Sequence, residues 1–377
     1  MRNCFVHAMT HLDQLPTHAA QLTIDLGAIR NNWHLLQSQA KPDVSCAAVV
    51  KADAYGLGAT RVASALYQAG CRDFFVALVD EALTLRPTLP HDARLFVLHG
   101  PLPGTEQACE QAGVIPVLNS REQISAWSDL AARLGRTLKA VVQFDTGMAR
   151  LGLALNDPLC RDSEDLLGIK PVLLMSHLVG AEDPQDPCNQ LQLQRFKAIR
   201  QHWAGVPASL ANSSGVFLGH DFHFDLLRPG AALYGVAPTL TGPNPMNPVV
   251  RLTGRLIQSH WVEAGESVGY NHTWTARRRT RVATVSAGYA DGYLRSLSNR
   301  AHLHIMGKPV SLIGRVSMDT VTVDATDVPD PHLLPGAPVE LINDAHDINA
   351  LAAEAGTNAY EILTSLGPRY QKRYIDS

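Results

Sequence analysis

The sequence predicts an α/β protein in which a (β/α)8 TIM-like barrel is followed by a mostly β C-terminal domain. Two patterns support this fold class. Up to about residue 236, short apolar runs alternate with amphipathic stretches, as in chains that form a parallel sheet. Beyond a proline-rich segment, strand-like runs follow one another with little helical periodicity. The predicted limits are 1–21 for an N-terminal extension, 22–237 for the barrel, 238–248 for a linker and 249–377 for the β-rich domain.

The barrel is predicted from eight strand-like runs that follow a separate first strand at Leu22–Leu26. These runs are Ser45–Val50, Asp73–Leu78, Arg94–Leu98, Val114–Leu118, Leu138–Phe144, Pro171–His177, Pro207–Ala211 and Phe222–Leu226. Helical periodicity predicts helices at Ile29–Gln39, Ala59–Gln68, Glu106–Gln111, Arg121–Leu134 and Gln190–His202. Eight strands with helices between them suit a closed barrel.

Reactive side chains at the ends of several predicted strands also favour a barrel. They are Lys51, Arg150, His177, Ser213 and Arg228. A barrel brings the carboxyl ends of all its strands to one face, where active sites lie, whereas an open sheet would spread some of these residues apart.

The β-rich domain is predicted to begin after a segment that carries four prolines, PTLTGPNPMNP. The strand-like runs beyond it are Val249–His260, Val268–Tyr270, Thr280–Val285, Ala301–Ile305, Val310–Ile313, Thr320–Val323 and Pro338–Ile342. One helix is predicted in this part, near Ile348–Ala355.

Composition and charge argue against several classes of partner. The formal net charge is −3, and the one basic cluster, at 277–281, is predicted to be a solvated turn, so we expect no nucleic-acid partner. The sequence contains no apolar run long enough to cross a bilayer. Six scattered cysteines predict free thiols and no metal site, and the first residues lack a secretory pattern. We therefore expect a cytoplasmic protein without a membrane partner.

The segment AAVVKADAYGLG, residues 47–58, carries the most chemical information. Lys51 follows an apolar strand and can form a Schiff base with a carbonyl cofactor if burial or nearby cations lower its pKa from about 10.4. Tyr55 offers a hydroxyl for a phosphate, and the two glycines permit close backbone approach. From residue type alone, an ordinary solvated lysine is the more common interpretation.

The sequence of this segment resembles the attachment signature for pyridoxal phosphate (PLP) in the alanine racemase family. Other motifs of that family follow in order: DTGMARLG at 145–152, SH at 176–177, ANS at 211–213, RPGAALYG at 228–235, VGY at 268–270, GYADG at 288–292 and GRVSMD at 314–319. The resemblance extends from residue 22 to about residue 366. It implies that PLP is the cofactor and that the activity is racemisation of an amino acid.

The resemblance implies two catalytic bases, one on each face of the substrate carbon. Lys51 holds PLP and, once released from it, serves one face; Tyr270, donated by a second subunit, serves the other. Arg228 faces the pyridine nitrogen and cannot accept its proton, which weakens the ring as an electron sink and favours racemisation over transamination. A head-to-tail homodimer with shared active sites follows.

The phosphate of PLP is expected to contact Tyr55, Ser213 and the main chain at Gly230 and Ala231. Backbone N–H groups and hydroxyls suit an anion without a further cation.

Four more residues are implied by the resemblance to contact the cofactor or the substrate. Arg150 is expected to bind the phenolic oxygen of PLP and the substrate carboxylate, and His177 to pack beside the pyridine ring. Met318 is expected to offer its main-chain amide to that carboxylate, and Tyr289 to line the entrance.

The chain departs from the family pattern at three positions. Gln143 stands where many members have a lysine that becomes carbamylated and positions the arginine, so we expect no carbamate, with a neutral amide or a bound anion in its place. Ser209 replaces a histidine that supports the arginine at the pyridine nitrogen. Pro368 stands where a second phosphate-binding tyrosine is usual, so phosphate binding should depend more on Tyr55 and Ser213.

Alanine is the expected substrate, for cell-wall precursor supply or for D-alanine catabolism. A racemase for serine or larger amino acids is the nearest alternative. A PLP decarboxylase would carry an acidic partner for the pyridine nitrogen, and Arg228 argues against it. A non-catalytic PLP-binding protein would consist of the barrel alone, whereas this chain adds a β-rich part with Tyr270.

Overall fold

The computed structural model describes residues 18–161 and 166–377. They form two compact units. The barrel unit comprises Asp25–Val249 with Asp376–Ser377, and the β unit comprises Val250–Ile375 with the segment that ends at Ile24. Most of the predicted N-terminal extension therefore lies outside the described residues.

After β1 (Ala20–Asp25), which pairs in the sheet of the β unit, the chain forms eight parallel strands. They are β2 (Ser45–Cys46 and Ala48–Val49), β3 (Asp73–Val76), β4 (Arg94–Val97), β5 (Ile115–Leu118), β6 (Leu138–Gln143), β7 (Ile169–Met175), β8 (Ala208–Ser209) and β9 (Leu226–Leu227). Strands β2 to β8 pair in sequence order. The ring closes because Asp225 N–H donates to Ala208 O at 2.9 Å and β9 pairs in parallel with Ser45–Cys46. The predicted barrel is confirmed.

Helices cover the outside of this ring. They are α1 (Leu26–Ser38), α2 (Ala59–Gln68), α3 (Val79–Leu85), α4 (Glu106–Gln111), α5 (Arg121–Leu134) and α6 (Pro187–Arg200). Helix α5 shows how the sequence sets the two ends of a helix. The Ser120 hydroxyl accepts from Gln123 N–H at its first turn, and Gly135 ends it in the left-handed conformation.

The barrel interior is filled by inward-facing apolar side chains of the strands. Phe75 and Phe96 stack there with ring centroids 4.5 Å apart, and Val117, Val141 and Leu173 pack around them. This apolar plug fills the middle of the barrel, so polar side chains collect at its ends.

The β unit is built around one long strand, β10 (Val250–Val262). The other strands are β11 (Ser267–Val268), β12 (Trp274–Thr275), β13 (Thr280–Val285), β14 (His302–Ile305), β15 (Lys308–Ser311), β16 (Val321–Asp324), β17 (Pro338–Ile342) and β18 (Gln371–Ile375). The main sheet has the order β15-β14-β17-β10-β1-β18; β13 also pairs with β10, and β16 pairs with β13. Strand β10 reaches three partners because a bulge between Leu256 and Gln258 turns it from β17 and β1 towards β13.

The mostly β character of this unit is confirmed, with more elements than predicted. Helix α7 (Ile348–Ala355) lies where expected, but a second helix, α8 (Ala359–Ser365), and the strand β18 were not predicted. The predicted eighth barrel strand, Phe222–Leu226, is also displaced, since Phe222 lies in a 3-10 turn. The 3-10 segments are Arg86–Thr88, Pro158–Cys160, Gly215–Leu218, His220–Phe222, Ala231–Tyr234, Tyr270–His272, Tyr289–Asp291, Arg295–Leu297 and Asp330–His332.

Candidate active site

Lys51 follows β2 directly, at the carboxyl end of the barrel. Val50 still belongs to the sheet, because its N–H donates to Phe75 O at 2.8 Å. The four residues after the lysine, Ala52–Tyr55, all have left-handed backbone torsions with φ between 52° and 56°. This conformation costs a non-glycine residue roughly 1–2 kcal/mol, so the turn exists only because its surroundings hold it.

Local hydrogen bonds close the left-handed turn. Gly56 N–H donates to Ala52 O at 2.8 Å, and Gly58 N–H donates to Asp53 O at 2.8 Å. The Asp53 carboxylate accepts from Ala59 N–H at 2.7 Å and so joins the turn to the start of α2. Gly56 continues the left-handed run with φ 84°, which the sequence indicated through its glycines. Nothing in the sequence indicated that four non-glycine residues would share it.

The environment of Lys51 favours a neutral amine. Burial lowers the pKa of Lys51, and the positive charge of Arg150 lowers it further, while the Glu81 carboxylate raises it. The net shift is downward. Since only the neutral amine is a nucleophile, this arrangement prepares Lys51 for attack on a carbonyl group.

Arg228 lies buried just after β9, with 4% of its surface exposed. Its Nη1 donates to the Ser209 hydroxyl, and its Nη2 donates to Ser176 O at 2.6 Å. Burial lowers the pKa of Arg228 to about 9, so the guanidinium stays protonated at neutral pH. Ser209, which replaces the family histidine, therefore contacts this arginine directly.

His177 follows β7, within range of three positive groups. Burial lowers the pKa of His177 to about 3, and the charges of Arg228, Arg150 and Lys51 add to that shift. The imidazole is therefore neutral at physiological pH. This result also shows that the ends of four different strands bring these side chains into one electrostatic environment.

A second group of residues forms a small polar cradle beside Gly230. Ser213 Oγ accepts from Gly230 N–H at 3.0 Å and from Ala232 N–H at 3.2 Å, which leaves its hydroxyl proton to be donated. A Cβ on Gly230 would lie 2.6 Å from the Tyr55 hydroxyl, so only glycine leaves this space open. Ala231 begins the 3-10 turn that follows.

The Tyr55 side chain is fixed in this cradle and stays protonated. Its ring packs at a centroid distance of 4.8 Å against Tyr234, whose hydroxyl donates to Val49 O at 2.9 Å. Burial raises the pKa of Tyr55 to about 12. The hydroxyls of Tyr55 and Ser213 are neutral donors that suit a phosphate, so the cradle fits the phosphate end of PLP.

Arg150 lies on a loop that Gln143 ties back to the barrel. Gln143 is 7% exposed, and its Nε2 donates to Leu151 O at 3.0 Å, next to the arginine. Asp145 Oδ1 accepts from the N–H groups of Gly147 and Met148, both at 2.8 Å. The neutral amide thus holds the main chain beside Arg150, at the position where the family lysine would stand.

Two residues that contact this region were missed from the sequence. Gln192 on α6 is buried; its Nε2 donates to His177 O at 2.9 Å and to Thr146 Oγ1 at 3.2 Å, and its Oε1 accepts from Val179 N–H. Glu81 on α3 accepts a hydrogen bond from Ala52, next to the lysine. Neither belongs to a recognisable motif, because each acts on main-chain groups that only the fold brings within reach.

Tyr270, Tyr289 and Met318 belong to the β unit, where they are 68%, 43% and 54% exposed. Tyr289 N–H donates to Ser317 O at 3.0 Å, and Ala290 N–H donates to Met318 O at 2.9 Å, so these two loops are joined. Tyr270 begins a 3-10 turn after Gly269, which packs against the main chain of Arg315. The segment 314–318 therefore contains Met318 and contacts both the loop of Tyr289 and the residue before Tyr270.

The described part of the chain offers neither a metal site nor a membrane span. In residues 18–161 and 166–377, no His, Cys, Asp and Glu side chains are grouped as ligands for a metal ion. The same ranges contain no helix with the length and apolar character needed to cross a bilayer.

Comparison with known proteins gives a consistent result over most of the chain. Residues 24–238 match the family model for the N-terminal domain of alanine racemase, and residues 249–374 match the model for its C-terminal domain. The chain is 49% identical to an alanine racemase of Rhodospirillum rubrum, covering 94% of this chain and 96% of the relative. It is also 49% identical to a catabolic alanine racemase of Agrobacterium fabrum, covering 95% and 92%.

Solved structures agree with these relatives. An alanine racemase from Bartonella henselae, with covalently bound pyridoxal phosphate, superposes with a TM-score of 0.89 at 40% identity, covering 95% of this chain and 99% of that one. A biosynthetic alanine racemase from Pseudomonas aeruginosa gives a TM-score of 0.86 at 36% identity, covering 95% and 99%. The chain belongs to the alanine racemase family.

Proposed function

We propose that this protein interconverts L- and D-alanine with PLP as its cofactor. One arrangement carries the proposal: Lys51, whose pKa is lowered by burial and by Arg150, lies at the carboxyl end of the barrel. Lys51, Arg150 and Arg228 all act electrostatically on the neutral His177. A nucleophilic lysine beside a cradle that suits a phosphate is the arrangement that a covalently bound PLP requires.

The residues of the barrel unit would hold the cofactor at both ends. Lys51 would bind it covalently, and Tyr55, Ser213 and the main chain at Gly230 and Ala231 would bind its phosphate. When bound, PLP withdraws electrons from Cα of an attached amino acid, so that this carbon loses its proton more readily. Arg228 would face the ring nitrogen, where a guanidinium can donate a hydrogen bond but cannot accept a proton.

The other residues would bind the substrate and move its proton. Arg150 would bind the substrate carboxylate, and the neutral His177 would pack beside the ring without competing as an acid. We propose that Lys51 removes or returns the Cα proton on one face and Tyr270 does so on the other. Met318 would contribute its main-chain N–H to the carboxylate, and Tyr289 would line the entrance.

Tyr270 is exposed in the β unit, and we propose that it serves the active site of a second copy in a head-to-tail homodimer. The enzyme would act in the cytoplasm, where D-alanine for cell-wall precursors is made or consumed. Cys46, Cys71 and Cys109 support this placement, because they are buried free thiols, as is usual in a reducing compartment.

The test follows the fate of the Cα proton. Purified protein with PLP is incubated in deuterium oxide with L-alanine, L-serine, L-lysine and L-glutamate separately, and exchange is followed by NMR and chiral chromatography. We expect deuterium incorporation and D-alanine formation to be fastest with alanine. If a larger amino acid is racemised faster than alanine, the protein is a broader-specificity racemase and alanine is not its main substrate. Loss of the carboxylate would indicate a decarboxylase, and bound PLP without exchange of any substrate would contradict the enzymatic function.

A further inference from the structure

Glu81 contacts the lysine turn from a neighbouring helix, and the function proposed above gives it no role. It is the third residue of α3, which starts just after β3. Its Oε2 accepts from Ala77 N–H at 2.7 Å and from Leu78 N–H at 3.1 Å. These two bonds are ordinary helix capping, because they satisfy main-chain donors at the start of the helix.

The other carboxylate oxygen accepts a hydrogen bond that helix capping does not require. Glu81 Oε1 accepts a hydrogen bond from Ala52 N–H at 2.6 Å. Ala52 is the residue after Lys51 and the first of the four left-handed residues, with φ 52°. One carboxylate therefore links the end of β3 to the point where the strained turn begins.

The charge of Glu81 acts on the same lysine. The Glu81 carboxylate raises the pKa of Lys51, against burial and the charge of Arg150, which both lower it. The negative charge thus limits how far the lysine amine is neutralised. Glu81 therefore contacts the residue that follows Lys51 and also acts on the charge of Lys51.

We propose that Glu81 is a positioning residue for Lys51, holding the left-handed turn against the end of β3. This inference rests on the proposed function, in which Lys51 is the residue that binds PLP. It assigns to Glu81 no contact with substrate or cofactor.

Two substitutions separate the contact from the charge. Glu81→Gln removes the charge and one acceptor, because an amide nitrogen cannot accept from an N–H group. Glu81→Asp keeps the charge but is one methylene shorter, so it cannot reach both Ala52 and the start of α3. Asp80→Asn is the matched control, because it removes one negative charge from the same first turn at an exposed position.

The experiment measures capture of PLP by Lys51 rather than turnover. Full-length proteins are freed of cofactor, checked for folding by circular dichroism and thermal unfolding, and mixed with PLP between about pH 6 and about pH 10, the range in which a shifted lysine titrates. Borohydride fixes the bound PLP at intervals, and peptide mass spectrometry measures its attachment at residue 51.

We expect Glu81→Gln to slow capture about tenfold or more and to move the midpoint of its pH dependence to lower pH, since the carboxylate no longer raises the pKa of Lys51. Glu81→Asp should slow capture with little change in the midpoint, and Asp80→Asn should match the wild type. Capture by Glu81→Gln at the wild-type rate and midpoint would overturn the inference, as would an equal effect of Asp80→Asn. Attachment of PLP to another lysine in the wild type would instead overturn the proposed function and this inference with it.

Discussion

Ser209 accepts a hydrogen bond from Nη1 of the buried Arg228 guanidinium. The same hydroxyl donates to Leu226 O at 2.5 Å, and the second guanidinium nitrogen donates to Ser176 O. A serine hydroxyl and a main-chain carbonyl thus accept hydrogen bonds from this buried cation. The two protein partners fix the plane of the guanidinium, which is the property that a contact with the PLP ring nitrogen needs.

Ser209→Ala should destabilise the protein by about 2–3 kcal/mol, because a charged donor loses its acceptor in a buried position. Ser176→Ala is the matched control. Arg228 contacts Ser176 through the main-chain carbonyl, which the substitution keeps, while the Ser176 hydroxyl pairs with the Thr146 hydroxyl at 2.7 Å. The control should lose about 1 kcal/mol, the value of a neutral hydrogen bond. Urea unfolding measures both values, and equal losses would show that the bond from Arg228 to the Ser209 hydroxyl stabilises the fold no more than a neutral hydrogen bond.

Stability should fall with acid in a way that depends on His177. The folded pKa of His177 is lowered to about 3 from its ordinary value of 6.5, so between these values the unfolded chain binds a proton that the folded chain excludes. The contribution of the neutral imidazole is complete above pH 6.5 and is lost as the pH falls towards 3.

His177→Gln should therefore reduce the loss of unfolding free energy between pH 7 and pH 4 by about 2 kcal/mol. Urea unfolding at several pH values, with PLP fixed by borohydride, provides the measurement. His34→Gln, at an exposed histidine, is the control and should keep the pH dependence of the wild type. Parallel curves for all three proteins would contradict a neutral His177 in the folded protein.

Gly230→Ala should weaken PLP binding about tenfold or more, because the new Cβ would lie 2.6 Å from the Tyr55 hydroxyl and occupy the cradle. The test is a double-mutant cycle with Tyr55→Phe, which removes the hydroxyl that the Cβ meets. Gly230→Ala should cost less affinity in the Tyr55→Phe background than in the wild type. Equal losses of affinity in both backgrounds, measured by cofactor titration, would show that the effect of Gly230→Ala does not come from contact with the Tyr55 hydroxyl.

The fold was predictable where local patterns and burial agree. Helix α5 was predicted with its observed limits, because Ser120 and Gly135 mark its ends and an apolar face runs between them. Helix α3 was missed because seven residues give less than two full repeats of a helical pattern. The pairing of β1 with β10 joins residues that are far apart in sequence, a relationship that no local pattern contains.

In the candidate site, too, the residues marked by local motifs were predictable, and the contacts that depend on the fold were not. Lys51 and Arg228 stand out in the sequence because motifs surround them, although their roles remain proposals. Ser209 was noted as a departure from the family pattern at the support of Arg228, but its direct bond to the guanidinium could be seen only in the fold. Glu81 did not stand out at all, because it acts on a main-chain N–H that only the closed barrel brings near. The left-handed run at Ala52–Tyr55 was equally hidden, because alanine and tyrosine do not favour that conformation.

Tyr270→Phe should lower racemisation by about 10² to 10⁴-fold while PLP stays attached at Lys51, because only a general base is removed. In deuterium oxide, the variant should still exchange the Cα proton of one enantiomer, the one that faces Lys51, without forming the other. Tyr67→Phe, on α2, is the control, because its hydroxyl bonds Asp92 at an exposed position; it should leave both rates unchanged. Symmetric loss of exchange from both enantiomers would contradict the assignment of one base to each face.

Shared active sites can be tested by mixing two inactive proteins. Lys51→Ala lacks the base of the barrel unit, and Tyr270→Phe lacks the base of the β unit. If each site combines Lys51 of one subunit with Tyr270 of the other, a mixed dimer has one intact site and one that lacks both bases. Random exchange of subunits makes half of the dimers mixed, so activity should return to about a quarter of the wild-type value. Sites contained within single subunits would give no recovery, since every subunit in the mixture carries one of the two defects.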